Sequence, residues 1–251
     1  MIVENLYRYP VKGLNAEALA TVEVAPGRAL PWDRTFALAQ GDSGFDPAAP
    51  AFLRKSNFMC LLKNAGIARL HASFDADRDR LTIRAPDGSD VIESPGRAEG
   101  RAALGRFLTQ YLGEDARGTP TFHYVPGHVF ADDREPVVSL LSLSSLAAFE
   151  RDVGAERDPL RFRSNLHLAG AAPWAEFDWI DRTLAIGAAR FRVVKRTRRC
   201  DATQVNPATA ERDADPVREL MRNYRHPDLG VLLRVVEGGR IAVGDTVTLL
   251  G

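Results

Sequence analysis

Cysteine is nearly absent from this chain: Cys60 and Cys200 are the only two in 251 residues, far apart and in dissimilar surroundings. A disulfide framework and a four-cysteine iron–sulfur pattern are both excluded, a reducing compartment is expected, and each thiol has to be read alone. Net charge is missing as well. Lysine plus arginine number 33, and so do aspartate plus glutamate. No bulk field therefore directs the chain to nucleic acid or to an anionic membrane, and any electrostatic function must come from local clustering. No apolar run approaches the ~18 residues of a spanning helix, and the opening MIVENLYRYPVKG puts charges and a proline where a secretory leader needs an apolar core. The expectation is a cytoplasmic protein with no nucleic-acid and no membrane partner. Neither GxGxxG nor GxxxxGK followed by Ser or Thr occurs, so nicotinamide and nucleoside triphosphate binding have no local support, and no flavin signature is present.

What remains is a chain long enough for one large domain or two small ones, either of which buries most of its apolar surface without a staple. Short strand-like segments separated by turn chemistry favour barrels or sandwiches over a parallel sheet with crossover helices. The expected class is mainly β (α+β), with a few helices. Ala68, Leu70, Ala72 and Phe74 alternate with polar residues, Asp75 to Asp79 suits a turn, and Leu81 and Ile83 alternate again before Asp87-Gly88, which predicts a meander. Val231, Leu233 and Val235, then Gly238-Gly239, then Ile241 and Val243 predict a closing hairpin. Three helices are expected: about Arg97 to Leu112, ending at Gly113; roughly Ser142 to Asp152; and one capped by Asp215 with Pro216 first and Val217, Leu220, Met221 and Tyr224 on one stripe. The Gly/Pro-rich stretch from Gly113 to Gly127 marks a boundary between two β-rich halves, taken as residues 1–120 and 121–251.

The chemically loaded segment is Arg190-Phe-Arg-Val-Val-Lys-Arg-Thr-Arg-Arg-Cys200, a strand pattern that turns cationic and ends at a thiol. If the backbone stays extended, Arg196, Arg198 and Cys200 share a face, and guanidinium groups beside a thiol favour its thiolate form, the form a soft metal binds. The same arginines match a phosphate by bidentate hydrogen bonds. On its own the segment also reads as a solvated face with a small residue at its end. Cys60, within Phe58-Met-Cys-Leu-Leu62, reads as an inert buried thiol. His123 and His128 do not make a metal triad, and His71, His167 and His226 are isolated, His226 standing before Pro227-Asp228-Leu229-Gly230. Asp132-Asp133, Asp213 and Asp215 read as turn and cap residues. Gly41 to Pro50 is either a substrate lid or a variable surface loop.

Five short motifs, in order along the chain, give the segment a context. Tyr9-Pro10-Val11-Lys12-Gly13 is followed by Trp32-Asp33-Arg34-Thr35-Phe36, then Arg161-Phe162-Arg163-Ser164-Asn165, then Arg199-Cys200 with Thr203 and Val205-Asn206-Pro207-Ala208-Thr209, and last Gly239-Arg240-Ile241-Ala242-Val243-Gly244-Asp245. Together they resemble the MOSC-domain proteins that carry a MOSC N-terminal β-barrel domain, the arrangement of the mitochondrial amidoxime-reducing component and its bacterial relatives. The resemblance covers nearly the whole chain. It implies a MOSC-type β-barrel at 121–251 preceded by a smaller β-barrel-like domain at 1–120. It also implies that Cys200 ligates the molybdenum of a molybdenum cofactor (Mo-molybdopterin), whose pterin dithiolene supplies the other sulfurs. Carried over position by position, Lys12, Arg34, Arg163 and Arg199 would contact the pterin or its phosphate, with Asn165 and Arg198 as further candidates.

The structural alternatives stay open beside these roles. Lys12 can be a solvent lysine, Arg34 can pair with Asp33, one of Arg161 and Arg163 can merely flank the site, and Asn165 can satisfy a turn. Two positions depart from the family pattern: Thr197 stands where many relatives have a second cysteine, and Gly13 replaces a serine. The implied activity is oxygen-atom transfer from an N-hydroxylated compound to molybdenum, and with no redox cofactor pattern in the chain a separate ferredoxin- or flavin-type redox partner is required. A non-catalytic carrier of the cofactor, or of a persulfide on Cys200, is the alternative. Pyridoxal phosphate binding is raised only by fused relatives and has no Schiff-base lysine signal here.

Overall fold

The computed structural model describes residues 1–250, and these form mostly short strands with three α-helices. The N-terminal half contains β1 (Ile2–Arg8), β2 (Glu17–Ala18), β3 (Thr21–Val24), β4 (Phe36–Ala39), β5 (His71–Asp75), β6 (Arg80–Arg84), β7 (Asp90–Glu93) and α1 (Ala98–Leu112). The second half adds β8 (Thr121–Tyr124), β9 (Val138–Ser142), α2 (Leu143–Val153), β10 (Leu166–Ala169), β11 (Thr183–Ile186), β12 (Ala189–Arg198), α3 (Pro216–Tyr224), β13 (Asp228–Glu237), β14 (Gly239–Ala242) and β15 (Val247–Leu250). The mainly β class expected from the sequence is the class adopted. No helix among the described residues is long and apolar enough to cross a membrane.

Clean alternation in the sequence becomes clean strands. In the meander β5–β6–β7, Phe74 lies opposite Leu81 and Ala72 opposite Ile83, and all four are buried on one face. Its first strand starts at His71 because Ala65–Arg69 closes as a 3₁₀ turn. Helix α1 buries Leu104, Leu108 and Leu112 and ends at Gly113 with φ 55°. The Ser142 hydroxyl accepts from Ser145 N at the start of α2, and the Asp215 carboxylate accepts from Arg218 N at the start of α3. Of the expected α3 stripe only Leu220 is fully buried, while Met221 is exposed.

The closing hairpin does not form. β13 pairs with β12 and β9, whereas β14 leaves it and pairs antiparallel with β3 of the N-terminal half, Gly239 opposite Val24. The two glycines serve close approach rather than a two-residue turn. A Cβ on Gly238 would stand 2.8 Å from Val24 O, and one on Gly239 2.9 Å from Ala188 Cβ.

Eight strands make one curled sheet in the order β15, β11, β12, β13, β9, β10, β1, β2. Only β9 and β10 run parallel, with α2 in the crossover between them. Because β1 belongs to this sheet, β4 pairs with β8, and β14 pairs with β3, strand pairing crosses residues 120/121 repeatedly. One apolar core fills the large sheet around Leu140, Leu168, Phe191, Val193 and Leu233, and takes Leu6, Val24 and Leu30 from the first half. Another lies around Phe36, Phe74, Leu81, Leu104 and Leu108, and takes Phe122 and Val205 from the second half. Polar groups collect along the seam between these two cores.

Candidate functional site

At that seam lies a cavity of about 410 Å³, within the ~300–1,000 Å³ of small-molecule sites. Lys12, Arg34 and Lys55 enter it from the N-terminal half, and Asp132, Arg163, Asn165 and the run Lys195 to Cys200 from the second. Every residue singled out from the sequence, Lys12, Arg34, Arg163, Asn165, Arg198, Arg199 and Cys200, is on its wall.

β12 explains how the thiol arrives there. Ala189, Phe191 and Val193 are buried at period two, then the register slips between Val193 and Lys195 and again between Arg196 and Arg198. Arg196, Arg198 and Cys200, expected to share a face, all reach the cavity wall, and Arg199 between them is buried. Arg196 stacks on the Phe177 ring at 4.2 Å, Arg198 is exposed, and Arg199 turns into the protein. Cys200 follows, half-buried, with its side chain on the cavity.

The deep wall is a hydrogen-bonded hub. Buried Asp33 accepts from Tyr9 N (2.8 Å), Asn165 Nδ2 (3.1 Å) and the guanidinium of Arg34. Arg34 also donates to Arg163 O (3.0 Å), and Arg163 to Leu14 O (2.6 Å). Both guanidinium groups lie over the buried Tyr9 ring, at 4.9 and 4.4 Å. Both arginines sit in the left-handed region, at φ 51° and 52°, a conformation costing ~1–3 kcal/mol that persists where its surroundings fix it. The Arg161–Asn165 motif is therefore a 3₁₀ turn with a left-handed exit, not a strand, and Arg161 is occupied by Thr203 O, Gln204 O and Asp213.

Asn165 has every side-chain polar atom engaged: Nδ2 with Asp33 and Tyr7 O (3.2 Å), Oδ1 with Ser139 N (3.1 Å) and Oγ (2.8 Å). Arg199 donates from Nε (2.8 Å) and Nη2 to Leu229 O and from Nη1 to Phe162 O (2.8 Å), clasping two loops together. Gly230 makes room for it, since a Cβ there would stand 3.2 Å from Arg199 Nη2 and 2.3 Å from Leu140 O. Burial pushes Arg163 and Arg199 down to about 10, so both remain charged at neutral pH.

The mouth is built differently. Lys12 is buried and donates to Phe130 O (2.9 Å) and Asp132 (2.5 Å). The other oxygen of Asp132 accepts from Lys55 Nζ (2.9 Å), which also lies 3.1 Å from Cys200 Sγ. Desolvation disfavours charge at Lys55, but Asp132 and the Cys200 sulfur outweigh it and hold the ammonium above its usual range. Against the same desolvation, the two lysines hold the Asp132 carboxyl well below the carboxylate range. Burial lowers Lys12, with Asp132 opposing. Asp133 pairs with Lys195 at 2.6 Å. The aspartate doublet expected to be turn chemistry is thus the acidic centre of the mouth.

Lys55 has no counterpart in the sequence reading, because a lone lysine in a loop shows no period and its partners are 77 and 145 residues away. Cys60 is buried, as expected, with its thiol pushed up by burial, although it edges the cavity. Gly13 has φ +90°, and a Cβ there would stand 2.9 Å from Ile67 Cδ1 and 3.1 Å from Met59 O, which accounts for glycine in place of a hydroxyl residue. Thr197 lines the cavity with its buried Oγ1 unpartnered. His123 and His128 pack around Phe45 of the 41–50 loop, and His226 sits among Trp174, Phe177 and Tyr224 away from the cavity.

A model of the MOSC domain matches residues 121–248, and one of the MOSC N-terminal beta barrel domain matches residues 1–115. The chain is 33% identical over 91 residues to a molybdenum cofactor sulfurase from Anopheles gambiae, a match that takes in 36% of this chain and 10% of that protein. It therefore spans about a tenth of that relative's length. Among solved structures it is similar to the YUAD protein from Bacillus subtilis (TM-score 0.45, 11% identity, 98% of this chain and 93% of that one). YiiM from Geobacillus stearothermophilus is similar at TM-score 0.36 and 17% identity, over 45% of this chain and 54% of that one.

Proposed function

Since the chain belongs to the MOSC-domain family and carries the MOSC N-terminal β-barrel domain, we propose that its seam cavity binds a molybdenum cofactor, with Cys200 Sγ as the protein ligand to the metal. On this reading the protein is a reductase of N-hydroxylated compounds. The observation that carries it is the placement of a half-buried thiol in a cation-lined cavity built from both halves of the chain. The donor chemistry fits such a cofactor. Among the described residues no group of three or more His, Cys, Asp and Glu side chains is placed to hold a metal ion, so a metal at Cys200 has to bring its other ligands with it. Lysines and arginines far outnumber Asp33, Asp132 and Asp133 along the wall, as a phosphate and an electron-rich dithiolene require. The unpartnered Thr197 Oγ1 offers one more hydrogen bond.

Bound there, the cofactor would supply the two-electron chemistry that converts an N–OH group, with two protons, into N–H and water. The chain's own part is to hold and orient. Lys12, Arg34 and Arg163 would offer charge to the cofactor, while Asn165 and Arg199, fully engaged within the protein, would act by keeping the loops of the wall in place. Arg198, exposed at the rim, would meet a phosphate or substrate rather than the buried wall. Electrons would come from a separate redox protein of ferredoxin or flavin type.

The test is metal analysis and oxidised-pterin fluorescence on protein expressed in a cofactor-producing host, wild type beside Cys200→Ser. Near-stoichiometric molybdenum and pterin, with metal lost in the variant, is the expected result; reduction of N-hydroxylated compounds with an artificial dye donor follows from it. Neither molybdenum nor pterin in the wild type would sink the reductase reading. A second reading, a carrier that holds the cofactor or a persulfide on Cys200, draws support from the Lys55 ammonium 3.1 Å from the sulfur and from the name of the Anopheles relative. A persulfide on Cys200 without turnover would favour it.

A further inference from the structure

Lys55 is the one side chain among the described residues that donates a hydrogen bond to Cys200 Sγ, and its position is fixed from behind. It opens the 3₁₀ turn Lys55–Asn57, closed by Phe58 N on Lys55 O (3.0 Å). Gln40 N at the end of β4 donates to Asn57 O (2.9 Å), and Arg117 Nη2 to Ser56 O (2.8 Å). The side chain retains 28% exposure. Of the three ammonium protons, one is directed to Asp132 and one to the sulfur, which leaves one for the cavity.

The charge around it is one-sided. Asp33 is matched by Arg34, Asp132 by Lys12 and Lys55 together, and Asp133 by Lys195. Every carboxylate on the wall already has a cation, and in the cofactor-free protein Arg163, Arg196 and Arg198 add positive charge for which no carboxylate partner lies among the described residues. A reactant that reaches the sulfur passes a fixed ammonium at contact distance inside a positive cavity. Such a field attracts anions and repels protonated amines.

We propose that Lys55 is a specificity-determining residue that reserves the approach to Cys200 for negatively charged reactants, so that the substrates are carboxylate-bearing N-hydroxylated compounds rather than amine-bearing ones. The N-hydroxyl chemistry rests on the function proposed above; the charge selection is a property of the cavity and is testable without any cofactor.

The experiment compares iodoacetate with iodoacetamide as alkylating agents of Cys200 in the cofactor-free, full-length protein at one pH, with the Cys200 peptide quantified by mass spectrometry. Both reagents form the same carbon–sulfur bond and release iodide, so the ratio of their rates cancels the ionisation of the sulfur and reports the field at it. That ratio is expected to fall about fivefold in Lys55→Gln, the size of one contact-distance charge interaction in a water-like dielectric, and to stay near wild type in Lys55→Arg. Lys55→Met is a second neutral variant, and thermal melting shows that each is folded. An equal ratio in wild type and the neutral variants overturns the proposal. In the loaded protein, 4-carboxybenzamidoxime should be reduced with higher kcat/KM than 4-(aminomethyl)benzamidoxime, with the preference lost through KM in Lys55→Gln. Preference for the amine overturns the proposal. Turnover of neither compound counts against the proposed reductase function, and the alkylation ratio then decides on Lys55 alone.

Discussion

The two walls of the cavity use the same residue types to opposite ends. On the deep wall Asp33, Arg34, Arg163, Asn165 and Arg199 are tied to one another, to Tyr9 and to main-chain carbonyls across the seam. At the mouth Lys55, Asp132 and Cys200 meet in a short hydrogen-bonded chain that faces the cavity, with the Asp132 side chain 54% exposed. Family motifs supply the first set and Cys200, whereas ordinary loops supply Lys55 and Asp132. A charged residue in a motif therefore serves architecture as readily as ligand binding, and what separates the two roles is how many of its polar atoms the protein has already engaged.

If that contrast is right, substitutions on the deep wall should cost more stability than those at the mouth. Asn165→Ala is expected to have the largest effect. It strands Ser139, Tyr7 O and Asp33 in a dry environment and should lower the unfolding free energy by about 3 kcal/mol or more, measured by urea denaturation. A loss below ~1 kcal/mol would break the contrast. Next comes acid sensitivity beside the hub. His167 is buried with both ring nitrogens unpartnered, and burial pushes it down to about 4 from 6.5. The unfolded chain then takes up a proton that the folded chain refuses, so stability is full above about 6.5 and is lost as pH falls towards 4, by up to roughly 3 kcal/mol. Denaturation midpoints across that window should flatten in His167→Phe; an unchanged slope would show that His167 carries none of the effect.

The smallest effect is expected at the mouth. Asp132→Asn takes the carboxylate from buried Lys12 as well as from Lys55, but Asp132 itself is half-exposed, so its cost in stability should stay below that of Asn165→Ala. Cofactor content or Cys200 reactivity should respond instead. A large destabilisation without either response would place Asp132 with the architecture.

Much of the fold was legible in the sequence because one-sided burial writes itself as a period. The meander from His71 to Glu93, the stop of α1 at Gly113 and the Asp215-Pro216 start of α3 all follow from local chemistry. The partner of β14 was not legible: alternation announces a strand without saying which edge it joins, and Gly238-Gly239 looks the same whether it makes a turn or lets three backbones approach. In the site, Cys200, Lys12, Arg34 and Arg163 could be named from motif resemblance. Lys55 and Asp132 could not, since only the tertiary fold brings a lone lysine and a turn-like aspartate doublet to the sulfur. The arginine parity of β12 was legible too, since Arg196 and Arg198 stay exposed while Arg199 is buried.

The central claim is that Cys200 is the protein ligand to molybdenum, and X-ray absorption at the molybdenum edge tests it most directly. In loaded wild-type protein the metal–sulfur shell should hold one scatterer beyond the two sulfurs of the pterin dithiolene. A shell of the dithiolene sulfurs alone would contradict the account and move the ligand elsewhere.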